Sequence, residues 1–415
     1  MNRHSKKVLI IGKVWPEPES SAAGSRMMQL ISLFKKFEWN LIFACAAIKR
    51  EFSVDLINTG VETKSIELNN SSFDRFVRSL QPDVVLFDRF MTEEQFGWRV
   101  SEQCPEAVQI LDTEDLHCLR KARQHAWKRG VKFESSMLLD EETAVREAAS
   151  IFRCDLSLII SEAEMELLTD LLNIDEKLLF YLPFLFEKMD QSAIRQLPDF
   201  DNRTGFVSIG NFLHEPNRNA VLWLKEKIWP FIRRQLPEAE LYIYGAYPTQ
   251  QVFQLHSPDE GFFVMGRAGS AKEVIKKAKV LLAPLRFGAG LKGKLAEAML
   301  CGTPSVTTKI GAEGMQINNN WSGMIAEDAE AIAVAAVQLY TNSELWKKSQ
   351  KNGFDIINTR FDRNKFEVPL IDQLVKIKQN LTNHRSRNFI GKMLRHHSLM
   401  STKYLSKWIE EKNKK

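Results

Sequence analysis

Residues 283–304, APLRFGAGLKGKLAEAMLCGTP, place a buried strand, a glycine-rich loop and a helix in immediate succession. The strand leads to Arg286, after which Gly288, Gly290 and Gly293 follow within six residues. Glycines at this density let the backbone approach a ligand closely. A strand, a tight loop and a helix form the repeating unit of parallel α/β sheets, so this stretch predicts the α/β fold class.

The same unit recurs along the chain in two sets. Near-continuous apolar runs, rather than alternating ones, are typical of parallel strands covered on both faces. The first set of predicted strands comprises residues 8–12, 40–44, 83–88, 108–112 and 156–161, and the second comprises residues 205–210, 241–245, 262–266, 280–285 and 305–308. We therefore expect two doubly wound, Rossmann-like domains that face each other across a cleft, where ligands bind beyond the carboxyl ends of the strands.

A polar, proline-containing stretch near residues 187–204 separates the two sets. The predicted domains are residues 1–190 and residues 200–360, followed by C-terminal helices over residues 361–415. The length of 415 residues suits two or three domains. A composition of 44% hydrophobic and 26% charged residues is that of a packed globular protein.

The net charge of +5 is small and mixed, so it gives no indication of nucleic-acid binding. Residues 384–415 alone carry +7, which leaves −2 for the rest of the chain. The five cysteines are odd in number, widely spaced and free of any C-x-x-C pair, which argues against a disulfide framework and a zinc cluster. The apolar run at residues 8–11 is too short for a signal peptide or a membrane span, so we expect a cytoplasmic protein.

The charged residues around the glycine-rich loop predict an anion site. Free N–H groups at the start of a helix attract anions, and Arg286, Lys292 and Lys294 lie beside them. A diphosphate fits this combination. Glu297 lies three residues beyond Lys294, where a carboxylate can accept hydrogen bonds from vicinal hydroxyls such as those of ribose. A solvated Lys/Glu face on an ordinary surface helix is the alternative.

Two metal-dependent alternatives are weaker. Residues 288–294 almost spell a phosphate-binding P-loop, but Leu295 stands where such a loop needs Ser or Thr to hold Mg²⁺. An Asp-x-Asp pair, Asp199 and Asp201, lies in the polar linker and is better explained as a solvated loop. We therefore predict no metal site.

At these residues the chain resembles the donor site of GT-B glycosyltransferases of family 4, the group 1 transferases. The resemblance covers most of residues 6–365 and rests on residues 284–298, 301–304 and 310–314, with weaker similarity in residues 16–26, 111–120 and 210–217. It implies that the second domain holds a nucleotide-sugar donor and the first domain an acceptor. It also implies no cofactor, because the nucleotide sugar is a co-substrate.

What the resemblance further implies is transfer of a hexose to a hydroxyl of a glycan or lipid-linked acceptor, with retention of configuration, in polysaccharide biosynthesis for the cell envelope. The residues expected to bind the donor are Gly24, Gly210, Arg286, Gly290, Lys292, Lys294, Glu297 and Glu313. Many members have a second Glu eight residues before the one that matches Glu297, and this chain has Ala289 there. A nucleotide-sugar epimerase of the same fold and a non-catalytic nucleotide-sugar binder stay open as alternatives.

On the acceptor side, the predicted strand 108–112 leads into a loop dense in ionisable groups. A carboxylate or an imidazole at the carboxyl end of a strand can orient an acceptor hydroxyl or take its proton. We favour Asp112 for this role and His117 as the second choice; Glu114 and Asp115 can instead cap a helix. Arg89 and Glu94, after another strand, are further candidates for the cleft.

The C-terminal tail has the pattern of a basic amphipathic helix. Larger side chains recur at steps of three or four, with Lys and Arg on much of the remaining circumference, and the residues are Phe389, Met393, His397, Met400, Tyr404 and Trp408. Such a helix can lie on an anionic membrane surface. The alternative is a helix that packs back onto the first domain.

Overall fold

The computed structural model of the protein describes residues 6–413, without the side chains of residues 397–400. Its strands form two parallel sheets. The first sheet contains β1 (Lys7–Gly12), β2 (Asn40–Cys45), β3 (Glu62–Ser65), β4 (Val84–Asp88), β5 (Val108–Asp112), β6 (Leu156–Ile159) and β7 (Leu179–Tyr181). The second sheet contains β8 (Phe206–Ile209), β9 (Leu241–Tyr244), β10 (Phe262–Gly266), β11 (Val280–Ala283), β12 (Ser305–Thr307) and β13 (Gly323–Ile325).

Both sheets are doubly wound, as predicted. The strand orders are β3-β2-β1-β4-β5-β6-β7 and β10-β9-β8-β11-β12-β13. Each order reverses direction once, between β1 and β4 in the first sheet and between β8 and β11 in the second. Such switch points are where open α/β sheets bind ligands. We call each sheet with its covering helices a lobe, the first lobe and the second lobe.

All ten predicted strands form, and three further strands were not predicted from the sequence. These three, β3, β7 and β13, each lie at the edge of a sheet and are three or four residues long. Strand β3 has the polar sequence ETKS and is mostly exposed. An edge strand of this kind lacks the apolar run that identifies a buried strand.

The helices cover both faces of the sheets. Those that follow strands of the first sheet are α1 (Ala22–Lys36), α2 (Ser72–Leu80), α3 (Phe90–Gln103), α4 (His117–Arg129), α5 (Glu142–Arg153), α6 (Glu162–Glu166) and α7 (Gln191–Arg195). Those of the second lobe are α8 (Glu215–Trp223), α9 (Trp229–Gln235), α10 (Gln250–Phe253), α11 (Ala271–Lys277), α12 (Gly293–Leu300), α13 (Lys309–Ala312), α14 (Ala329–Thr341) and α15 (Ser343–Arg360). The chain ends in α16 (Glu367–Gln379), α17 (Leu381–Arg387) and α18 (Phe389–Asn413).

The last three helices return to the first lobe. Leu370, Leu374 and Ile377 of α16 belong to the apolar core on one face of the first sheet. Arg385 of α17 forms an ion pair with the buried Asp155, with 2.7 Å between Nη2 and Oδ2. Helix α18 packs against α3 and α5. The chain therefore crosses from the first lobe to the second and back.

One face of α18 is directed away from the protein. Phe389 and Trp408 are 70% and 61% exposed, and Ile390, Met393, Tyr404 and Leu405 are also exposed. The predicted positions His397 and Met400 lie outside the described side chains. Within residues 6–413, no helix has the length and apolar character that crossing a bilayer requires.

Candidate active site

A cavity of about 450 Å³ lies between the two lobes. Its walls are formed at and after the carboxyl ends of strands in both sheets. The first lobe contributes residues 14–24 after β1, 88–89 at the end of β4 and 114, 115 and 117 after β5, and the second lobe contributes residues 209–211 at the end of β8, 245–247 after β9 and 285, 287–289 and 291–294 after β11. Both switch points therefore open into the same space. This is the position at which doubly wound sheets bind ligands.

Two charged residues of the second lobe lie about one turn apart near the start of α12. Lys294 and Glu297 line the cavity, and the Lys294 Nζ donates a hydrogen bond of 2.7 Å to Asn217 Oδ1. Burial lowers the pKa of Lys294 to about 7, against the attraction of Glu297. Burial, with repulsion from Glu19, raises the pKa of Glu297 to about 7. The predicted cation and carboxylate thus share one wall of the cleft.

Gly210 permits this arrangement because it has no side chain. A Cβ at this position would lie 2.6 Å from Lys294 Nζ and 2.7 Å from Asn217 Cγ. Any larger residue would push the lysine or the amide aside. Gly210 lines the cavity at the end of β8, as the resemblance implies for a donor-site glycine.

Lys292 is 9% exposed and also lines the cavity. Its Nζ donates hydrogen bonds to the carbonyls of Ala289 (3.2 Å) and Gly290 (2.6 Å). Burial lowers the pKa of this lysine to about 8, against the attraction of Glu313. In this state Lys292 holds the glycine-rich loop together while its charge stays next to the cavity.

Arg286 does not line the cavity. Its guanidinium lies over the rings of Trp127 and Trp223, at 4.7 and 4.9 Å from their centroids. The Arg286 Nε donates a hydrogen bond of 2.8 Å to Asn219 Oδ1. Of the three cations predicted to meet a diphosphate, the structure brings Lys292 and Lys294 to the cleft and holds Arg286 at the seam between the lobes.

The glycine-rich loop is attached to the first lobe. Arg123 of α4 donates to both oxygens of Glu313, at 2.6 and 2.8 Å, and to the carbonyl of Gly288 at 2.9 Å. This ion pair lowers the pKa of Glu313. Glu313, predicted as a donor contact, does not line the cavity and instead joins the two lobes.

Gly290, like Glu313, does not line the cavity and is held against the first lobe. Its N–H donates a hydrogen bond of 2.8 Å to Oε1 of Glu164, a buried residue of α6, and the same oxygen accepts a bond from the Leu116 N–H. A Cβ at Gly290 would lie 2.8 Å from Asp115 Cβ, and its φ of +63° also favours glycine. The Ala289 side chain belongs to the apolar core of the first lobe. The loop therefore contacts that lobe through consecutive residues.

Gly24 lies in the first turn of α1, directly after the loop that follows β1, and lines the cavity from the first lobe. Its N–H donates to Oγ of Ser21, the residue that caps α1, at 3.0 Å. A Cβ at Gly24 would lie 2.5 Å from the backbone of Glu17, so the glycine allows the loop to fold tightly. The loop also contacts the second lobe, because Tyr247 Oη donates to the Glu17 carboxylate at 2.9 Å.

The structure places Asp112, the favoured acceptor-side group, away from the cavity. Asp112 is fully buried, and its carboxylate pairs with Arg26, with 2.8 Å between Oδ1 and Nη2. Arg26 is 1% exposed and also donates to the Leu182 carbonyl. A carboxylate engaged in this way cannot reach an acceptor. Its observed contacts connect the end of β5 to α1.

His117 does line the cavity. Its ring meets Phe90 edge-on, at 5.5 Å between centroids, and its Nε2 lies 3.5 Å from Asp115 Oδ1. Burial lowers the pKa of His117 to about 3, so the imidazole is neutral at pH 7. Of the further candidates, Arg89 lines the cavity, whereas Glu94 pairs with Arg146 at the surface.

Two acidic residues of the cavity wall were not selected from the sequence. Asp88 ends β4 and Glu114 follows β5, and each is more than nine-tenths buried. Asp88 could have been selected from the sequence, because it lies at the carboxyl end of a predicted strand. Glu114 was considered only as a helix cap, because its orientation depends on a positive φ of 63° that the sequence does not indicate.

Comparisons with known proteins agree with this geometry. Residues 203–342 match the family model described as glycosyl transferases group 1. A protein of Klebsiella pneumoniae, described as an uncharacterized 44.6 kDa protein in the cps region, is 22% identical over 190 residues, which are 44% of this chain and 46% of the relative. The match therefore spans less than half the length of that relative.

Solved structures show the same fold over most of the chain. Anabaena HepE in complex with UDP and glucose has a TM-score of 0.65 at 14% identity, covering 89% of this chain and 99% of that one. The sucrose-phosphate synthase of Thermosynechococcus elongatus has a TM-score of 0.67 at 15% identity, with 90% and 99% covered. The GT-B fold expected from the resemblance is confirmed, and residues 203–342 match the family model of the group 1 glycosyltransferases.

Proposed function

We propose that the protein is a glycosyltransferase that moves a hexose from a nucleotide-diphosphate sugar to a hydroxyl of a glycan or lipid-linked acceptor. The observation that carries this proposal is the pair Lys294 and Glu297 at the start of α12, which faces the first lobe across a cavity of about 450 Å³. A cation for phosphate and a carboxylate for ribose hydroxyls lie on the same wall, and Gly210 leaves room for the lysine.

The chemistry needs a group that stabilises the departing diphosphate. Lys292 and Lys294 are fixed beside the amino end of α12, where N–H groups also point outward. Positive charges held in place in this way stabilise developing negative charge without reorganisation. We therefore propose that these lysines take the part that a divalent metal has in other transferases. Retention of configuration is part of the proposal on the family resemblance alone.

Two relatives support a saccharide acceptor. The Klebsiella pneumoniae relative is described by its place in a cps region. The fold also matches Staphylococcus aureus TarM, solved with fondaparinux, α-GlcNAc-glycerol and UDP, at 12% identity and a TM-score of 0.56, with 72% of this chain and 58% of TarM covered. We propose a role in assembling a cell-envelope polysaccharide on this basis.

The exposed face of α18 supports a place of action at an anionic membrane surface. Its apolar side chains, Phe389, Met393 and Trp408 among them, are accompanied by the exposed Lys392 and Lys407. Apolar groups in the headgroup region and lysines near anionic lipids both favour binding. A lipid-linked acceptor would be reached from this position.

Titration calorimetry with UDP and with GDP, in the presence of EDTA, tests the donor site. Lys294→Ala and Glu297→Gln should each weaken binding by about ten- to a hundred-fold, since a charge-assisted contact contributes roughly 1.5–3 kcal/mol. Lys276→Ala and Glu273→Gln are matched controls, because these residues form an exposed pair on α11. Equal affinity of the wild type and both site variants would refute the assignment.

A turnover assay separates the alternatives. Release of nucleoside diphosphate that depends on an added saccharide indicates transfer. Conversion of the donor sugar without any acceptor would indicate an epimerase of the same fold. Tight nucleotide-sugar binding with neither reaction, over a broad set of acceptors, would indicate a non-catalytic binder.

A further inference from the structure

Asp88 and Glu114 lie together on the first-lobe wall of the cavity. Asp88 ends β4 and Glu114 follows β5, and these two strands are neighbours, with Asp88 opposite Asp112. Both residues line the cavity, and they are 4% and 9% exposed. Carboxylates this deeply buried are usually satisfied by protein partners.

Each of these carboxylates has an oxygen without a hydrogen-bond partner among the described residues. Within the described part of the chain, Asp88 Oδ1 and Glu114 Oε1 are buried and accept no hydrogen bond. The other Asp88 oxygen is held by the Lys13 N–H at 2.8 Å. Leaving a buried carboxylate oxygen unpaired is unfavourable, so a group that donates hydrogen bonds to it would be bound there.

The backbone at this site is also held in an unfavourable conformation. Arg89 and Glu114 have φ values of 71° and 63°, in the left-handed region that favours glycine. Arg89 is fixed by its N–H, which donates to the Asp112 carbonyl at 2.8 Å. Strain of this kind accumulates at functional sites, where the surrounding fold maintains it. Here it directs two side chains into one cavity.

The neighbouring charges determine which ligand fits. Arg89 Nε lies 3.6 Å from Asp88 Oδ1, and its positive charge opposes the approach of a metal cation or an ammonium group. Burial raises the pKa of both carboxyls. Neutral hydroxyl groups match two carboxylates beside a guanidinium, because a hydroxyl donates to the former and accepts from the latter.

We propose that Asp88, Arg89 and Glu114 form a subsite for the hydroxyl groups of a saccharide. This assignment rests on the proposed function. It gives these three residues the part in orienting a sugar hydroxyl that the sequence had suggested for Asp112. The hydroxyls can belong to the acceptor or to the sugar of the donor, since both meet in this cavity. The carboxylates act as hydrogen-bond acceptors that position the sugar.

The test compares the wild type with Glu114→Gln, Asp88→Asn and the control Glu94→Gln, whose carboxylate pairs with Arg146 at the surface. One arm measures binding of methyl α-glucoside, methyl α-galactoside, methyl α-mannoside and N-acetylglucosamine by saturation-transfer NMR, with saturating UDP or GDP and EDTA. The other arm measures how much more tightly UDP-glucose or GDP-mannose binds than UDP or GDP.

If the glycoside affinity falls about tenfold in both site variants and is unchanged in the control variant, the result supports an acceptor subsite. A loss of the added affinity of the nucleotide sugar supports a subsite for the donor sugar. If neither quantity changes, or if no saccharide binds the wild type on either arm, the subsite is overturned. Failure of the wild type to bind any nucleoside diphosphate would instead count against the proposed function as well.

Glu114→Gly separates recognition from folding. Glycine relieves the left-handed backbone and removes the buried unpaired oxygen, so the Tm should rise by about 1–3 °C while saccharide binding is lost. A lower Tm, or a higher Tm with saccharide binding retained, would contradict the proposal.

Discussion

The pKa values of Lys294 and Glu297 are shifted toward each other, because burial disfavours the charged form of each side chain. The pKa of Lys294 is lowered to about 7 and that of Glu297 is raised to about 7. Near neutral pH the empty site is therefore only partly ionised. A diphosphate favours the charged lysine, so its binding raises the pKa of Lys294 and takes up a proton.

This coupling predicts a pH dependence of nucleotide affinity. Above the pKa that Lys294 has without bound nucleotide, the lysine must take up a proton for binding. The affinity for UDP or GDP should therefore fall as the pH rises from about 7 to 9, by up to about tenfold per pH unit for each proton taken up. Calorimetry in two buffers of different ionisation enthalpy measures the number of protons taken up when the nucleotide binds. Lys294→Ala should show a flatter profile, with Lys292 titrating near pH 8. Affinity that is constant over this range would mean that the lysines stay charged in the empty site.

The buried pair of Asp112 and Arg26 belongs to the fold. Asp112→Asn leaves the Arg26 charge uncompensated at 1% exposure, so the free energy of unfolding should fall by about 3 kcal/mol. Urea denaturation checks the stability, and calorimetry checks nucleotide binding, which should be retained by the folded variant. A variant of wild-type stability that binds donor but transfers no sugar would restore the catalytic role that the sequence favoured.

The sequence predicts contacts between residues that are close in the chain better than contacts made by the tertiary fold. Lys294 and Glu297 are three positions apart on one helix, so local spacing was enough to place them together. Arg26 and Asp112 are separated by 86 positions, and only the tertiary fold shows that they neutralise each other. Glu114 was missed for a related reason, because its direction follows from a strained φ rather than from a pattern.

At the scale of elements, apolar runs predicted ten strands, among them the edge strand β10, whereas the short edge strands β3, β7 and β13 were not predicted. The periodicity of the tail correctly indicated a long amphipathic helix in α18. It did not indicate which face meets the protein, since that depends on partners far away in the sequence. Arg99 Nη2, for example, donates to Ser406 Oγ at 3.0 Å.

The exposed face of α18 predicts binding to anionic vesicles. The wild type should co-sediment with vesicles that contain phosphatidylglycerol and less with phosphatidylcholine alone, and high salt should weaken the binding. Phe389→Ser and Trp408→Ser should each reduce the affinity about tenfold or more, because each removes a large apolar side chain. Leu139→Ser is the control, since Leu139 is 56% exposed outside α18. Equal sedimentation of all variants, or none for the wild type, would contradict the membrane contact.

At the scale of the whole molecule, the glycine-rich loop contacts both lobes. Arg123 joins the first lobe to Glu313 and Gly288, and Glu164 joins it to Gly290. Ala289, where the family resemblance led us to expect a glutamate in many members, packs into the core of the first lobe. Separation of the lobes would therefore release the loop that holds Lys292 and Lys294.

This geometry predicts that contacts between the lobes contribute to nucleotide affinity. Arg123→Ala and Glu313→Ala should each weaken nucleotide binding, and the double variant should be little worse than either one, with a coupling free energy of about 1–3 kcal/mol. A double-mutant cycle measured by calorimetry gives this value. Additive losses would mean that Arg123 and Glu313 act independently of each other, and unchanged nucleotide affinity in both variants would mean that this ion pair does not contribute to nucleotide binding.

The crystal structure of the protein with bound UDP or GDP tests the central claim most directly. The diphosphate should lie within hydrogen-bond distance of the Lys294 Nζ, at the start of α12, with the ribose hydroxyls on the Glu297 carboxylate. A nucleotide bound elsewhere, or bound in the cleft with both side chains turned away from it, would contradict the assignment of this site.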